Sequence, residues 1–175
     1  MGGKAERLVG QLAYAAGALA AIFLVGIIVL TMAEVVSRYV LHQPLILADE
    51  FGGYALVAIT FLGLAYCARD KNHIRITFIV ERFRPRTAGW IRLVTLALGF
   101  AFIAVAAWVS WQFLADSFAR NMRSNSMLMT PLKWPQMALP IGFTLFALVL
   151  LVHLVKVVQD LKAGRNADEF KAEEF

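Results

Sequence analysis

Four long runs without a charged side chain dominate this sequence and constrain its fold. They cover residues 8–33, 51–68, 93–115 and 134–155, which together make up half of the 175-residue chain. A helix needs about 20 apolar residues to cross a bilayer, within a range of about 17–25, and each run is long enough. The runs are continuous rather than alternating, so they lack the pattern of barrel strands. The sequence therefore predicts an all-α integral membrane protein with four transmembrane helices.

The composition agrees with a membrane location. Hydrophobic residues make up 60% of the chain and charged residues 17%, whereas a soluble domain carries about 25% charged residues. A soluble chain of this length has too little interior for so much apolar surface. This excludes a typical soluble enzyme and a disordered protein, and the single cysteine, Cys67, excludes an intramolecular disulfide. The net charge of +5 fits basic residues placed between spans better than nucleic-acid binding.

Lysine and arginine residues are distributed unevenly between the two sides of the predicted spans. Thirteen lie in the N-terminal segment, the 69–92 connection and the C-terminal segment, while four lie in the 34–50 and 116–133 connections. The positive-inside rule therefore places both termini in the cytoplasm. The first run is too long for the apolar region of a signal peptide and is predicted to be a retained span. We expect one membrane domain over 1–162 and a polar tail over 163–175.

The connection between the second and third spans has an amphipathic pattern. Apolar residues recur there at helical spacing, at Ile76, Ile79, Val80 and Phe83. This pattern predicts an arm helix over about 73–84 that lies in the membrane interface. A solvated basic loop remains the alternative. Four residues in and after this segment would meet the lipid interface, namely Arg82, Arg84, Arg86 and Trp90.

Charged residues flank the connection between the first and second spans. Glu34 and Arg38 are spaced i, i+4, in the favourable order for an ion pair on a helix. Asp49 and Glu50 stand where the second span begins, and acidic groups at that position complement the helix dipole and cap free N–H groups. Capping of the second span and contact with a partner protein both remain open for these two acids.

The span interiors contain no Asp, Glu, Lys or Arg. Transport pathways usually carry such groups, so the chain is predicted to be a packing partner rather than a conduit. Gly52 and Gly63 belong to a set of small residues on the second span that predicts close helix contact. Trp108 lies deep in the third span and is predicted to pack between helices, and that span is predicted to extend to about residue 122.

Haem ligation is not expected from the histidines, which are His42, His73 and His153. A bis-histidine haem needs two ligands that face each other within the bundle. His42 lies outside the spans on one side, and the other two lie at the cytoplasmic ends. No Walker lysine loop, nucleophile elbow or zinc-ligand spacing is present either, and no cofactor is predicted for this chain.

Residues 34–83 contain a series of short motifs, formed by Glu34, Ser37, Arg38, Tyr39, Pro44, Asp49, Glu50, Phe61, Leu62, Gly63, Arg69, His73 and Ile74. This series resembles the small membrane subunit of tripartite ATP-independent periplasmic (TRAP) transporters. That family has a helix end with Glu and Ser/Ala-Arg-Tyr/Phe, a link with Pro, an acidic pair, and a Phe-Leu-Gly span that ends in Arg and His-Ile. A looser match over 130–143 contains Pro131, Trp134, Pro140 and Gly142. The family often has Trp just before the acidic pair, where this chain has Leu47-Ala48.

The resemblance implies a scaffold subunit in a bacterial or archaeal inner membrane, and not an enzyme. In that family a large membrane subunit holds the substrate and sodium sites, and a periplasmic binding protein delivers an organic acid such as a dicarboxylate, keto acid or sialic acid. Uptake is driven by an ion gradient, so sodium or proton coupling is expected in the large subunit.

Under this interpretation, twelve residues are expected to have structural or partner-contact roles. They are Glu34, Arg38, Tyr39, Asp49, Glu50, Gly52, Gly63, Arg69, His73, Pro131, Trp134 and Pro140. One alternative is a membrane-anchor subunit of a redox complex, which would need haem or quinone. A small homodimeric exporter is a weaker alternative, because such carriers usually have an acidic residue within a span.

Overall fold

The computed structural model describes residues 2–43, 47–69, 85–126 and 128–162, with side chains for 6–43, 47–69, 89–126, 128–159 and 161. The regular structure in these ranges is helical, in the order α1 (Gly2–Val40), α2 (Leu47–Arg69), α3 (Pro85–Ala119), α4 (Lys133–Gln136) and α5 (Ala138–Lys162). The predicted arm helix over 73–84 and the tail over 163–175 lie outside the described residues, as do Pro44, His73, Arg82 and Arg84.

Four described segments are long and apolar enough to cross a membrane, which confirms the all-helical prediction with four spans. They are Glu6–Val40, Leu47–Arg69, Gly89–Ala119 and Lys133–Gln159. The first of these helices continues well past the uncharged run, to Val40, so Glu34 and Arg38 are helical.

The third span ends earlier than predicted, at Ala119 rather than about residue 122. Asn121 has a left-handed φ of 48°, and its N–H bonds to the Phe118 carbonyl while the Met122 N–H bonds to the Ser117 carbonyl. This pair of bonds around a left-handed residue is a Schellman motif, in which asparagine is tolerated because it visits that conformation readily. The apolar stripe continues past Ala119, but the backbone does not stay helical.

The helices alternate in direction. Gly10 of α1 lies beside Arg69, and Gly52 of α2 lies beside Ile27, so α1 and α2 are antiparallel. We call the end that contains Arg7, Arg69 and Lys156 the basic end, and the end that contains Glu50 and residues 120–126 and 128–132 the loop end. The chain starts at the basic end, and α1 crosses to the loop end.

Helix α5 is the central helix of the described structure. It contacts α1 and α2 on one side and α3 on the other. It runs parallel to α2, since Val149 packs with Ala68 near the basic end. It runs antiparallel to α3, because Leu161 lies beside Gly89. Helix α3 therefore makes its main described contacts with α5 and with the short helix α4.

Small side chains form the buried core between α1, α2 and α5. Two clusters contain Ala13, Ala16, Ala20, Ala58, Leu62, Ala65, Ala68 and Val149. A Cβ at Gly17 would lie 2.6 Å from Cγ of Tyr66, and a Cβ at Gly142 would lie 2.6 Å from the carbonyl carbon of Phe61. Close backbone approach of this kind is how helices gain van der Waals contact in lipid, where no hydrophobic force drives them together.

Most of the apolar surface of these helices is not covered by the chain itself. Only 11% to 22% of the residues in the most apolar window of each span are buried. The outward surface of α3 includes Phe102 and Trp108, which are 73% and 68% exposed. The prediction that Trp108 packs between helices is therefore wrong for this chain alone. Every side of α3 is apolar, so its sequence did not indicate which side faces α5.

Candidate functional site

Glu50 connects α2 to the loop that follows α3. One carboxylate oxygen accepts a hydrogen bond from the Tyr54 hydroxyl at 2.7 Å. The other accepts one from the Ser126 hydroxyl at 2.5 Å, across 76 positions of sequence. Asp49 and Glu50 both lie in the first turn of α2, where their charge complements the helix dipole. Glu50 thus also fastens the loop, whereas Asp49 is exposed.

The fastened loop is held by backbone hydrogen bonds of its own. The Ser124 N–H bonds to the Thr130 carbonyl at 2.9 Å, and the Leu132 N–H bonds to the Met122 carbonyl at 3.0 Å. These bonds pair the two arms of the loop, which also meet in a bridge between Arg123 and Pro131. Leu128 and Met129 at its tip are 41% and 61% exposed. The loop end therefore presents apolar side chains on a closed backbone frame.

The end of α1 contains the predicted ion pair. Nη2 of Arg38 lies 2.5 Å from Oε1 of Glu34. Glu34 is only 7% exposed, and within the described part of the chain its second oxygen has no hydrogen-bond partner. One residue before Arg38, the Ser37 hydroxyl donates to the Gln43 carbonyl at 2.6 Å. Ser37 thereby holds the chain where it leaves α1.

The other residues of the first motif, which covers residues 34–83, differ in how far they are exposed. Tyr39 is 75% exposed and points away from the described helices. Gly52 is close to α1, since a Cβ at this position would lie 3.8 Å from Cδ1 of Ile27. At Gly63, by contrast, no described atom lies within 4 Å of such a Cβ. The small-residue surface predicted on α2 is therefore only partly used inside this chain. The close contacts lie at Gly17 and Gly142 instead.

The second motif, which covers residues 130–143, includes the start of α5. Pro140 is fully buried in the first turn of α5, where a missing N–H costs no helical hydrogen bond. The Thr144 hydroxyl donates a hydrogen bond to the Pro140 carbonyl at 2.6 Å. The same hydroxyl accepts one from Nε1 of Trp111 on α3 at 3.1 Å. Trp134 is 65% exposed. This motif thus includes one residue that packs inside the chain and one that faces outward.

The basic end brings together the starts and ends of three helices. The guanidinium of Arg69 lies 5.5 Å from the ring centroid of Tyr14, which is within cation–π range. Lys156 of α5 forms an ion pair with Glu6 of α1. Trp90 is 63% exposed near the start of α3. Arg86 belongs to the same helix, but its side chain lies outside the described residues, as do His73, Arg82 and Arg84.

An apolar groove of about 590 Å³ runs along the middle of α1, the loop-end half of α2 and the start of α5. Its walls are alanine, leucine, isoleucine and aromatic side chains, including Phe23, Ile27, Tyr54, Trp134 and Ile141. Such walls suit an apolar helix or an acyl chain and offer no charge to bind a carboxylate. His42 and His153 lie at opposite ends of the helices, so this pair could not ligate one haem.

Sequence reasoning missed the partner of Glu50 and the basic-end ion pair. The Glu50 and Tyr54 spacing of four residues indicates a contact on one helix face, but no local signal points to Ser126. Glu6 and Lys156 are 150 residues apart, and their contact depends on the antiparallel packing of α1 and α5. Both contacts come from the arrangement of helices rather than from any motif.

Comparison with known proteins assigns these features to a family. Residues 27–160 match the model described as tripartite ATP-independent periplasmic transporters, DctQ component. A putative TRAP transporter small permease protein of Haemophilus influenzae is 23% identical over 133 residues, which is 74% of this chain and 73% of that protein.

Two further relatives match over shorter segments. The sialic acid TRAP transporter permease protein SiaT of Haemophilus influenzae is 30% identical over 76 residues, covering 41% of this chain and 12% of that protein. The ectoine TRAP transporter small permease protein TeaB of Halomonas elongata is 35% identical over 51 residues, covering 29% of this chain and 26% of that protein.

The family match covers the end of α1, all of α2 and α3, and nearly all of α5. It includes the Glu34–Arg38 pair, Glu50 with its loop, and the Pro140 entry into α5. A transporter component is not an enzyme, and the match leaves the redox-anchor alternative without support. This multi-pass membrane chain belongs to the DctQ family, the small permease component of tripartite ATP-independent periplasmic transporters.

Proposed function

We propose that this chain is the scaffold subunit that supports a large membrane subunit during ion-gradient-driven uptake of an organic acid. The observation that carries this proposal is the outward surface of α1 and α3, which is apolar and mostly uncovered by the chain itself. An exposed apolar helix surface of this kind is covered in a membrane either by lipid or by the helices of another membrane protein. The four uncharged runs, residues 8–33, 51–68, 93–115 and 134–155, contain no charged side chain that could bind a substrate or an ion.

The transport chemistry would then lie in other chains. The substrate and the coupling ion, sodium or proton, would bind to the large subunit, and a periplasmic binding protein would deliver the substrate. Two relatives are described as sialic acid and ectoine transporter proteins, and both compounds carry a carboxylate. An organic acid of the dicarboxylate, keto acid or sialic acid type is therefore the proposed substrate class.

The proposed topology places the basic end in the cytoplasm and the loop end in the periplasm of an inner membrane. The distribution of lysine and arginine supports it, with thirteen on the first side and four on the second. The closed loop fastened by Glu50, with Leu128 and Met129 exposed, would then face the side on which a binding protein docks. The proposed arm helix over 73–84 would brace the chain at the cytoplasmic surface.

Purification of the tagged chain from its native membrane in mild detergent, followed by mass spectrometry, tests the assembly. We expect a large membrane protein of many spans at about one copy per chain. Recovery of haem or iron–sulfur subunits would support the redox anchor instead, and recovery of the chain alone would contradict a scaffold role.

Photocrosslinking in the same membranes locates the contact surface. A benzoylphenylalanine at Phe102 on α3 or at Val25 on α1 should crosslink to the large subunit on whichever helix faces it. The same probe at Leu114, which is 5% exposed within this chain, is the matched control and should not reach a partner. If neither outward position yields a crosslink, these surfaces face lipid and the scaffold proposal loses its main support.

A further inference from the structure

We propose that a pocket at the basic end binds a phosphoryl group at the membrane surface, for which an anionic phospholipid headgroup is the favoured source. The pocket has a volume of about 620 Å³ and lies between the start of α1, the end of α2 and the end of α5. Among the described side chains that line it, three are cationic and one is a carboxylate, namely Arg7, Arg69, Lys156 and Glu6. Cationic side chains thus outnumber acidic ones in a site built by three helices.

Within the described structure, the cations of the pocket differ in their partners. Lys156 is already paired with Glu6. Among the described side chains, neither Arg7 nor Arg69 has a carboxylate within ion-pairing distance. An arginine guanidinium presents several N–H donors in a planar fork that matches two phosphate oxygens. Two such groups on one pocket are suited to bind a phosphate better than a single point charge.

The position of Arg69 is set by neighbouring residues on α1. Its guanidinium lies over the Tyr14 ring, 5.5 Å from the centroid. A Cβ at Gly10 would lie 3.5 Å from Nε of Arg69, at ordinary van der Waals distance, so the arginine lies directly against α1 at this position. The contact with the Tyr14 ring and the contact at Gly10 therefore place Arg69 on the surface of α1, in the pocket that Arg7 also lines.

The remaining lining favours a lipid over a free anion. Val149 and Val152 form part of the pocket wall, and Leu8 and Leu12 are 61% and 52% exposed on the adjoining surface of α1. A diacyl lipid could place its phosphate between the arginines and its chains along these leucines. Basic pockets between transmembrane helices are known to bind anionic lipid headgroups. The attraction between a basic side chain and an anionic membrane surface extends over about one Debye length.

Native mass spectrometry of the full chain in detergent tests this proposal. The probes are dioleoyl phosphatidylglycerol, dioleoyl phosphatidylcholine and inorganic phosphate. We expect phosphatidylglycerol to be retained over phosphatidylcholine. Retention should weaken about 30-fold in the R7Q/R69Q variant, because each basic residue near an anionic surface contributes a factor of about five. The matched control is R120Q/R123Q, which removes two exposed arginines at the loop end and should leave retention unchanged.

The probes distinguish the source of the phosphoryl group. Retention of phosphatidylglycerol without binding of inorganic phosphate identifies a lipid site. Binding of inorganic phosphate that is lost in R7Q/R69Q identifies a free-phosphate site in the same pocket. If R7Q/R69Q retained both phosphatidylglycerol and inorganic phosphate as well as R120Q/R123Q does, the proposal would be overturned.

Two further measurements protect the test against misfolding of the double variant. The R7K/R69K variant keeps both charges and should retain most of the binding. In the wild-type chain, a diazirine-bearing phosphatidylglycerol should crosslink to peptides that contain Arg7 or Val152. Crosslinks found only elsewhere would contradict the pocket. The result is independent of the large subunit, so failure here would leave the proposed transport role untouched.

Discussion

The helices α1, α2 and α5 pack as one group, whereas α3 is attached to that group along one side. Alanines and glycines bring the backbones of the first group together, with Gly142 against the backbone of Phe61. Of these three helices, α3 packs mainly against α5, with Trp111 donating a hydrogen bond to Thr144 and with Ala107, Ser110, Leu114 and Ser117 buried. The comparison indicates a three-helix group with close backbone contacts, and a fourth helix whose outward side is exposed.

The largest expected effect comes from the close contact of α2 and α5. In Gly142→Ala the new Cβ would lie 2.6 Å from the Phe61 carbonyl carbon, so the helices must separate. We expect a loss of about 1–3 kcal/mol, the usual cost of overpacking. Denaturation of the purified chain in detergent measures it.

Gly99→Ala on α3 is the matched control for that substitution. Nothing described lies within 4 Å of a Cβ at this position. We expect no loss, and a gain of up to about 1 kcal/mol because alanine favours a helix more than glycine does. Equal stability of the two variants would contradict the difference between the two parts of the bundle.

A smaller effect is expected where Glu50 connects the three-helix group to the loop after α3. Glu50→Ala removes the acceptor of the Ser126 and Tyr54 hydroxyls and should cost about 0.5–1.5 kcal/mol, because both hydroxyls are only partly buried and water can replace the carboxylate. Trypsin should then cleave faster after the exposed residues Arg120 and Arg123, because the loop is held less firmly.

Asp49→Ala is the control for the loop prediction. It removes a neighbouring acid in the same helical turn that is exposed. Its cleavage rate should stay close to that of the wild type. If both variants were cleaved equally fast, general weakening of the start of α2 would explain the effect, and the link to Ser126 would not be needed.

The smallest effect is expected at the contact between α3 and α5. Thr144→Val removes the acceptor of the Trp111 indole N–H, and hydrogen bonds between membrane helices contribute about 0.6 kcal/mol on average. The fluorescence of Trp111 should change with little change in stability. Thr95→Val is the control, since that hydroxyl bonds only within its own helix. A loss as large as that of Gly142→Ala would show that α3 is held as firmly as the other helices.

The local pairings were open to prediction from the sequence, and the long-range ones were not. Glu34 and Arg38 are one helical turn apart, so their ion pair follows from spacing alone. Glu50 was assigned only capping or partner contact, because its second partner, Ser126, follows α3 and is 76 residues away. Depth in the span predicts that Trp108 packs between helices, whereas the structure places it on the outward surface of α3.

The sequence by itself determined the four spans and the family, because both depend on properties that add along the chain. Uncharged length decides whether a segment can cross a bilayer, and the motifs around Glu34 and Asp49 are local. Tertiary structure alone decided that α5 is central, that Glu50 fastens the loop, and that Arg7 and Arg69 share a pocket. The physical reason is that lipid accepts any apolar side of a helix. Hydrophobic periodicity therefore cannot indicate which side packs, and close steric fit decides it.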